Sequence, residues 1–259
     1  VQLARHPKRP YSSDYISRIT DYWFELHGDR YFSDDPAMIC GIAVIDNLKL
    51  MIISQEKGRG TKSKLFRNFG MARPEGYRKA LRLMKLAEKY KIPVLTLIDT
   101  PGAYPGLGAE ERGQAEAIAR NLFEMSKLRV PIINIVIGEG ASGGALGIGV
   151  GDKMLCFENT WYSVISPEGC ATILFRDASR APEAAASMMV TAKDLKYFGI
   201  ADTILPEPLG GTHQDYNQSA DTLKNAILDS FLELNKIDPD KRIENRIEKY
   251  DKMGKWSDG

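Results

Sequence analysis

The residues best suited to chemistry lie in a glycine-rich turn, Gly138-Glu139-Gly140-Ala141-Ser142-Gly143-Gly144-Ala145. An apolar, largely β-branched run from Ile132 to Ile137 precedes this turn and predicts a strand buried on both faces. Glycines after such a strand let the backbone approach a ligand closely, and a following helix aims unpaired N–H groups at the same point. The turn therefore predicts a site for an oxygen atom that is, or becomes, negatively charged.

One interpretation of this turn is a dinucleotide site. Gly138-x-Gly140-x-x-Gly143 matches the fingerprint, and Glu158 follows where the ribose-binding acid belongs. A crossover helix normally needs about ten residues or more, however. The helix after this turn is interrupted by glycines that each cost about 1 kcal/mol relative to alanine, namely Gly147, Gly149 and Gly151. The interruption counts against a dinucleotide.

A second interpretation is the nucleophile elbow of hydrolases. Gly140-x-Ser142-x-Gly144 matches that motif. Asp202 and His213 lie downstream in the order that a catalytic triad would require. In this interpretation the hydroxyl of Ser142 would attack the substrate and form a covalent intermediate.

A third interpretation uses only the backbone. The amides around Gly143 and Gly144 would form an oxyanion hole for an enolate or a carboxylate, and a side chain at Gly144 would occupy the place of the bound oxygen. Ser142 would then serve as a small residue that lets the turn form, and we expect it and Ala145 to line the substrate. A tight turn whose glycines serve packing alone remains open as well.

A second strand-turn-helix unit precedes the first. The apolar run Val94 to Ile98 ends at Asp99-Thr100-Pro101-Gly102-Ala103-Tyr104-Pro105-Gly106, and a long helix is predicted from about 109 to 128. Two such units in succession indicate parallel strands whose C-terminal ends share one edge of a sheet, where ligands of these folds bind. We therefore expect Gly102 and Ala103 to lie beside the glycine-rich turn and to contact the substrate.

The segment 57–91 is strongly basic, with Glu75 and Glu88 as its only acids. Such a run commonly forms a solvated helix face, and Pro74 predicts the start of a helix with an inward apolar stripe. Several cations precede that helix in a Gly-containing loop without acidic neighbours in the sequence. Among them we expect Arg59 and Arg67 to bind a phosphate-bearing ligand or an acidic protein.

Composition narrows the function classes. The 259 residues carry 35 Lys and Arg against 34 Asp and Glu, so no overall field favours nucleic acid or a membrane surface. The three cysteines are scattered without a Cys-x-x-Cys pair, which predicts neither a zinc site nor a disulfide framework in this chain. We expect no membrane span and no signal peptide. Because the sequence begins at Val1, we expect further residues before it in the full protein.

The remaining pattern predicts one domain over residues 1–259. Apolar residues at helical spacing predict an N-terminal helix at 12–27, and two apolar runs joined through Asp46-Asn47 predict a hairpin. The expected core covers 36–211, and a polar helical extension covers 217–254.

Several motifs along the chain together resemble one known family. They are Arg5-His6-Pro7, Glu25-Leu26-His27-Gly28-Asp29-Arg30, Arg67-Asn68-Phe69-Gly70-Met71, Pro74-Glu75-Gly76-Tyr77-Arg78-Lys79-Ala80, Asp99 to Gly106, Glu110-Glu111-Arg112-Gly113-Gln114, Ser163-Val164-Ile165-Ser166-Pro167-Glu168-Gly169 and Glu207-Pro208-Leu209-Gly210-Gly211. They resemble the carboxyltransferase alpha subunit of multi-subunit acetyl-CoA carboxylase. The match runs from Arg5 to about His213. The helical segment that the family carries before Arg5 is absent, and Thr212 replaces a common alanine.

The resemblance implies an α/β fold of the crotonase-like type, in which β-β-α units stack into a spiral. It also implies transfer of a carboxyl group from carboxybiotin, tethered to a biotin carboxyl carrier protein, to acetyl-CoA, giving malonyl-CoA for fatty acid synthesis. The amides of Gly143 and Gly144 would serve the biotin side, and a zinc-bearing beta subunit would serve the acetyl-CoA side.

By the same resemblance, biotin carboxylase is a further partner and the assembly is alpha2beta2, in bacterial cytoplasm or plastid stroma. The competing hypothesis from another class is a non-catalytic nucleotide-binding or regulatory subunit whose basic loop holds phosphates.

Overall fold

A computed structural model describes residues 1–254 and places their strands in one mixed sheet. The strand order is β1-β2-β3-β4-β5-β6-β8, and β7 pairs with the end of β5. The antiparallel pairs are β1–β2 and β2–β3, and the others are parallel. The strands are β1 Tyr22–Glu25, β2 Met38–Ile45, β3 Leu48–Gln55, β4 Val94–Thr100, β5 Ile132–Ala141, β6 Lys153–Phe157, β7 Trp161–Ser163 and β8 Thr203–Leu205.

Helices cover both faces of this sheet. In chain order they are α1 Ser12–Ile19, α2 Gly60–Phe66, α3 Pro74–Lys89, α4 Leu107–Glu111, α5 Gln114–Lys127, α6 Ser142–Leu146, α7 Pro167–Phe175, α8 Ala181–Met188, α9 Ala192–Tyr197, α10 Tyr216–Leu234 and α11 Pro239–Asp251. Short 3₁₀ turns cover Asn68–Gly70 and Ala178–Arg180. Every residue of β4 and β5 is buried, as their continuous apolar runs predict.

The two faces of the central strands belong to two apolar cores. Leu95 and Ile133 face a core closed by α1 and α10. Ile98 and Val136 face the other core, which α3 and α5 close. Because the sheet is buried on both sides, access to β3, β4 and β5 is left at the strand ends, where the loops emerge.

The predicted N-terminal helix at 12–27 is wrong beyond Ile19. The backbone is extended at Thr20, and Tyr22–Glu25 forms the edge strand β1, with Trp23 opposite Ala43. Aromatic residues suit a half-buried strand as well as a helix, and here alternate residues of Tyr22–Glu25 are exposed. Pairing with β2 decided between two patterns that the spacing of apolar residues could not separate.

The long helix predicted at about 109–128 is two helices. Gly113 takes a left-handed conformation, with φ of 80°, between α4 and α5. The hairpin is confirmed, since Ile45 lies opposite Leu48 with Asp46-Asn47 between them. The C-terminal extension is helical as predicted, and α10 and α11 fill most of the range 217–254.

A buried arginine fastens the N-terminal segment to the rest of the chain. Arg9 donates to both oxygens of Glu207, at 2.7 and 3.2 Å, and to the carbonyl of Ile137 at 2.7 Å. Both side chains of the Arg9–Glu207 pair are 1% exposed. Glu207 also accepts from the amides of Asn159 and Thr212. The segment before α1 is therefore fixed across the C-terminal end of β5.

Candidate functional site

Two loops meet at the C-terminal ends of β4 and β5. We call residues 99–104, which include the last two residues of β4, the first loop. We call residues 138–145, which join the end of β5 to the start of α6, the second loop. The parallel register brings Thr100 beside Gly140. A Cβ atom at Gly144 would lie 2.2 Å from the carbonyl carbon of Gly102 and 2.3 Å from the nitrogen of Ala103. Only glycine at position 144 permits this approach, so Gly102 and Ala103 lie directly against Gly144, beside the glycine-rich turn as expected; their contact with substrate stays a prediction.

The second loop leads into α6, whose first turn has no side-chain cap. Its N-cap is Ala141, which offers no hydrogen-bond acceptor on its side chain. The amides of Ser142, Gly143 and Gly144 open the helix and so have no intrahelical acceptor. A Cβ at Gly143 would meet only the side chain of Ile118, at 3.6 Å, so there is open space beside this residue. The arrangement suits an external negative oxygen.

The carbonyl side of α6 is held rigidly. The carbonyl of Gly144 accepts from Gln55 Nε2 at 2.7 Å and from the Tyr77 hydroxyl at 3.1 Å. Asn121 Nδ2 donates to the carbonyls of Gly147 and Tyr77. These side chains are fully buried, so the short helix cannot shift without breaking buried hydrogen bonds.

A buried cluster of charges lies directly under the two loops. Lys57 Nζ is 2.7 Å from Asp99 Oδ1 and 2.7 Å from Glu139 Oε1. Arg5 Nε binds the other oxygen of Glu139 at 2.5 Å and its Nη1 reaches Glu168 at 2.7 Å. The amide of Glu139 donates to Asp99 Oδ1 at 3.0 Å. Asp99 begins the first loop, and Glu139 is the second residue of the second.

The ionisation of this cluster follows from burial and pairing. Burial raises the pKa of Asp99 above its ordinary value despite Lys57. The pKa of Glu139 lies below its ordinary value because Lys57 and Arg5 outweigh the effect of burial. Burial tends to lower the pKa of Lys57, but the two carboxylates outweigh it and the pKa is raised. Lys57 is therefore a protonated ammonium, not a free amine.

A cavity of about 260 Å³ opens beside this cluster. Its walls include Arg5, Lys57, Lys64, Pro101 and Glu139. Lys64 makes no hydrogen bond or ion pair with any residue in the range 1–254. The same range contains no group of three or more His, Cys, Asp or Glu side chains placed to hold a metal ion.

Comparison with known proteins identifies the family of this chain. A family model described as acetyl co-enzyme A carboxylase carboxyltransferase-like matches residues 1–254. The chain is 57% identical to the acetyl-coenzyme A carboxylase carboxyl transferase subunit alpha of Chlorobium luteolum, with all of this chain and 79% of that protein aligned. The corresponding Nitratiruptor subunit is 56% identical, over all of this chain and 83% of that protein.

The chain belongs to the acetyl-CoA carboxylase carboxyltransferase alpha subunit family. Solved structures give the same fold at low sequence identity. Transcarboxylase 12S, 19% identical, superposes with a TM-score of 0.65 over 82% of this chain and 40% of its own. A chain of a Pseudomonas malonate decarboxylase hetero-tetramer, 15% identical, gives 0.67 over 82% of this chain and 85% of its own. The α/β fold of this alpha subunit family member is therefore crotonase-like, as the resemblance implied.

The nucleophile elbow is not assembled in this carboxyltransferase family member. Ser142 is exposed and its φ of 60° resembles the strained residue of an elbow. Asp202, however, accepts from the Met154 amide and from Lys249. His213 stacks on His6, with ring centroids 3.8 Å apart. Within residues 1–254, no hydrogen bond joins Ser142 to either of them.

Packing within this family's fold explains the first two glycines of the dinucleotide fingerprint, Gly138 and Gly140. A Cβ at Gly138 would lie 2.3 Å from Asp99 Oδ1. At Gly140 it would lie 2.5 Å from the ring of Tyr162. The helix that follows, α6, has 5 residues, too few for a crossover helix. A side chain at Gly144 would strike the first loop, so the expectation that it would strike the bound oxygen needs correcting.

We expected Arg59 and Arg67 to bind an external anion because they have no acidic neighbours in the sequence. That premise is wrong, because both have partners within the fold. Arg59 pairs with Asp14 at 2.5 Å and stacks over the ring of Tyr11. Arg67 donates to the carbonyl of Pro36 at 2.7 Å. The segment that contains them is largely the helix α2 and a 3₁₀ turn, not an open loop. Their role in binding substrate stays a prediction, but their charges are already partly used.

Sequence reasoning missed the cluster of Lys57, Asp99 and Glu139. Lys57 is one of several cations that precede the helix at Pro74, and its acidic partners lie 42 and 82 residues further along the chain. One signal was available: both acids come at the ends of predicted buried strands, where a carboxylate must find a partner. That signal alone could not choose Lys57 from the many cations of its segment.

Proposed function

We propose that this chain is the alpha subunit of a carboxyltransferase that moves a carboxyl group from carboxybiotin to acetyl-CoA. Carboxybiotin would arrive on a separate carrier protein after loading by a biotin carboxylase. A beta subunit carrying zinc would complete the site in an alpha2beta2 assembly. The subunits would work in bacterial cytoplasm or in plastid stroma. Among residues 1–254 no helix combines the length and apolar character needed to cross a bilayer.

The observation that carries this proposal is the uncapped first turn of α6, packed against Gly102 and Ala103. When bound, carboxybiotin supplies the carboxyl group and retains negative charge on its ureido oxygen. The amides of Gly143 and Gly144 would donate hydrogen bonds to that oxygen as its charge grows. Because these donors belong to a fixed backbone, they need no reorganisation during the reaction.

The space beside Gly143 supports this assignment. An added Cβ there meets only Ile118, so a ligand atom can approach the amide without displacing the fold. Ser142, which is exposed, would flank the ligand, and Gly102 and Ala103 would form the opposite wall. Ala145 is fully buried in the core that α3 and α5 close, so its contact with the substrate stays a prediction. The amide of Gly102 already donates to Thr100 Oγ1 at 3.1 Å, so it is not a free donor. We assign the second oxyanion, that of the acetyl-CoA enolate, to the beta subunit.

The competing hypothesis is a non-catalytic nucleotide-binding or regulatory subunit. It depended on loop cations that lack internal partners, and Arg59 and Arg67 both have them. Among the cations at 57–73, only Lys62 and Lys64 lack an internal partner, since neither forms a hydrogen bond or an ion pair within residues 1–254. We therefore favour the carboxyltransferase.

The test is an activity assay of the assembled pair. The chain is co-expressed with a beta subunit from the Chlorobium luteolum enzyme, and assembly is checked by size-exclusion chromatography. We expect the complex to decarboxylate malonyl-CoA when free biotin is present and neither subunit alone to do so. A complex that assembles but has no biotin-dependent turnover would contradict the proposal, and stabilisation of the isolated chain by ATP would favour the nucleotide-binding alternative.

A further inference from the structure

Within residues 1–254, Lys57 alone forms ion pairs with both Asp99, in the first loop, and Glu139, in the second loop. Its ammonium lies 2.7 Å from Asp99 Oδ1 and 2.7 Å from Glu139 Oε1. The side chain of Lys57 is 12% exposed, and those of the acids are 2% and 6% exposed. Asp99 stands three residues before Gly102, and Glu139 four before Gly143. The two ion pairs therefore lie close in the chain to Gly102, which packs against Gly144, and to the candidate donor Gly143.

Gln55, two residues before Lys57, also connects the two loops. Its Nε2 donates to the carbonyl of Gly144 at 2.7 Å, and its Oε1 accepts from the amide of Asp99 at 3.2 Å. Gln55 is the last residue of β3 and Lys57 lies two residues beyond it, so both act at the C-terminal end of this strand. One strand end thus fixes both loops of the neighbouring strands.

The surroundings leave Lys57 and the acids little freedom. Gly70 has φ of 81°, and a Cβ there would lie 2.8 Å from Lys57 Cγ. A Cβ at Gly138 would lie 2.3 Å from Asp99 Oδ1. Glycine at both positions lets the backbone close around the ion pair. The cluster therefore has one well-defined arrangement, as a rigid support requires.

We propose that Lys57, assisted by Gln55, is a positioning residue for carboxyl transfer that sets the separation of the two loops. The inference rests on the proposed function, because the loops matter for rate only if they hold the reacting groups. Removing the ammonium would leave the buried Asp99 without a cation and Glu139 with Arg5 alone. Desolvation of Asp99 and repulsion between the two carboxylates would then drive them apart. A displacement of about 1 Å in a catalytic arrangement can cost about a hundredfold in rate.

Other roles for Lys57 fit the structure less well. A nucleophilic or basic lysine must be able to lose its proton, whereas two carboxylates hold this pKa above its ordinary value. A cation that binds substrate must have charge to spare, whereas this one is shared between two buried acids. Support of the loops is the role that uses both ion pairs.

The experiment compares Lys57→Met with Lys79→Met in the assembled complex. Lys79 is a matched control because its side chain is also largely or fully removed from solvent, 0% exposed against 12% for Lys57, and forms an ion pair with Asp34 at 2.5 Å. It lies on α3, and its hydrogen bonds go to Asp34 and Asp35, outside both loops. We expect Lys57→Met to lower kcat about a hundredfold while KM for malonyl-CoA changes by about threefold or less. Lys79→Met should lower the melting temperature but keep kcat within about threefold of wild type.

Hydrogen exchange provides a second readout that does not require activity. In Lys57→Met, amides of residues 100–104 and 140–145 should exchange at least about tenfold faster, while those of α3 keep their wild-type rates. Lys79→Met should leave the two loops unchanged. If Lys57→Met does not fold, Gln55→Met serves instead, since it removes the hydrogen bonds at the same place without burying an unpaired charge.

Two results would overturn the positioning role. One is a Lys57→Met complex with wild-type kcat and wild-type exchange in the loops. The other is an equal loss of kcat in Lys57→Met and Lys79→Met, which would mean that both act through stability. A wild-type complex that assembles without turnover would count against the proposed function instead, and the exchange measurement would still decide whether Lys57 fixes the loops.

Discussion

Arg246 and Lys57 are both buried cations, and they lie at opposite edges of the same sheet. Arg246 forms a two-point ion pair with Asp152, at 2.8 and 2.9 Å, and donates to the carbonyls of Met125, Leu128 and Val130. Asp152 in turn accepts from the amide of Ile132, at the start of β5. Arg246 thus ties helix α11 to the N-terminal edge, whereas Lys57 ties two loops together at the C-terminal edge.

The difference lies in what each cation holds, not in the strength of its contacts. Arg246 joins regular elements that are packed in any case, so its loss should appear mainly in the free energy of unfolding. Lys57 joins the loop that carries the candidate hydrogen-bond donors, residues 138–145, to the loop that packs against it, so its loss should appear in the rate. Similar buried ion pairs can therefore serve stability at one edge and chemistry at the other.

The largest expected effect is the loss of stability on replacing Arg246, at the N-terminal edge of the sheet. Arg246→Met leaves Asp152 buried without its partner, and breaking such a pair typically costs about 3–5 kcal/mol. We expect chemical denaturation to show a loss of this size, while the folded complex keeps kcat within about threefold. A variant with normal stability and low kcat would reverse the assignment of the two edges.

The next largest effect is the loss of activity on removing the backbone amide of Gly143, at the C-terminal edge of the sheet. Gly143→Pro removes one amide donor, and loss of one oxyanion donor elsewhere costs about 3–4 kcal/mol, a hundred- to thousandfold in rate. Gly143→Ala is the comparison variant, because its amide remains and its Cβ would meet only Ile118 in the fold, at 3.6 Å, although the Cβ enters the space proposed for the ligand. Biotin-dependent malonyl-CoA decarboxylation should fall much further in the proline variant than in the alanine variant, with assembly retained by both. Normal turnover by Gly143→Pro would place the oxyanion donors elsewhere.

A smaller effect is expected on the stability of the protein at acidic pH. The pKa of Glu139 is lowered in the folded protein, below the ordinary value of 4.5, so its contribution to stability is present above pH 4.5 and is lost as the pH falls below it. Between pH 4.5 and 3, wild type should lose more of its free energy of unfolding than Glu139→Gln, which cannot titrate there. Parallel curves for the two proteins would show that Glu139 is not stabilised as an anion.

The smallest effect is expected for removal of the exposed hydroxyl of Ser142. Ser142 makes no hydrogen bond to His213 or Asp202 within residues 1–254, so Ser142→Ala should keep most of the carboxyltransferase activity. A loss of about a thousandfold with the complex intact would mean that the hydroxyl takes part in chemistry. Steady-state kinetics with malonyl-CoA and biotin give the answer directly.

The sequence predicted the elements that carry their own signal. Continuous apolar runs ending at glycines identified β4 and β5, and parallel topology then placed Gly102 beside Gly144. The N-terminal helix was overextended because Tyr22 and Trp23 fit a helical stripe and a strand equally well. Pairing with β2, a contact between distant positions, made the choice.

Charged side chains were harder to predict than apolar ones. Arg59 has no acidic neighbour in sequence, yet it pairs with Asp14, 45 residues earlier, and contacts the hydroxyl of Tyr216. Lys57 finds Glu139 at a separation of 82 residues. Spacing along the chain says nothing about such pairs, because tertiary structure alone brings the partners together. The backbone site could therefore be predicted from glycine spacing, and its ionic support could not.

The ion pair of Arg9 with Glu207 has a consequence for how the chain is made. The partners are 198 residues apart, so during synthesis at 5–20 residues per second Arg9 waits roughly 10–40 s for Glu207 to appear. Contacts of such long range also favour slow folding. The Arg9–Glu207 pair therefore cannot form until the chain has been translated past β8 to residue 207. Closing the C-terminal end of β5 is, on this account, among the last events in maturation of the nascent chain.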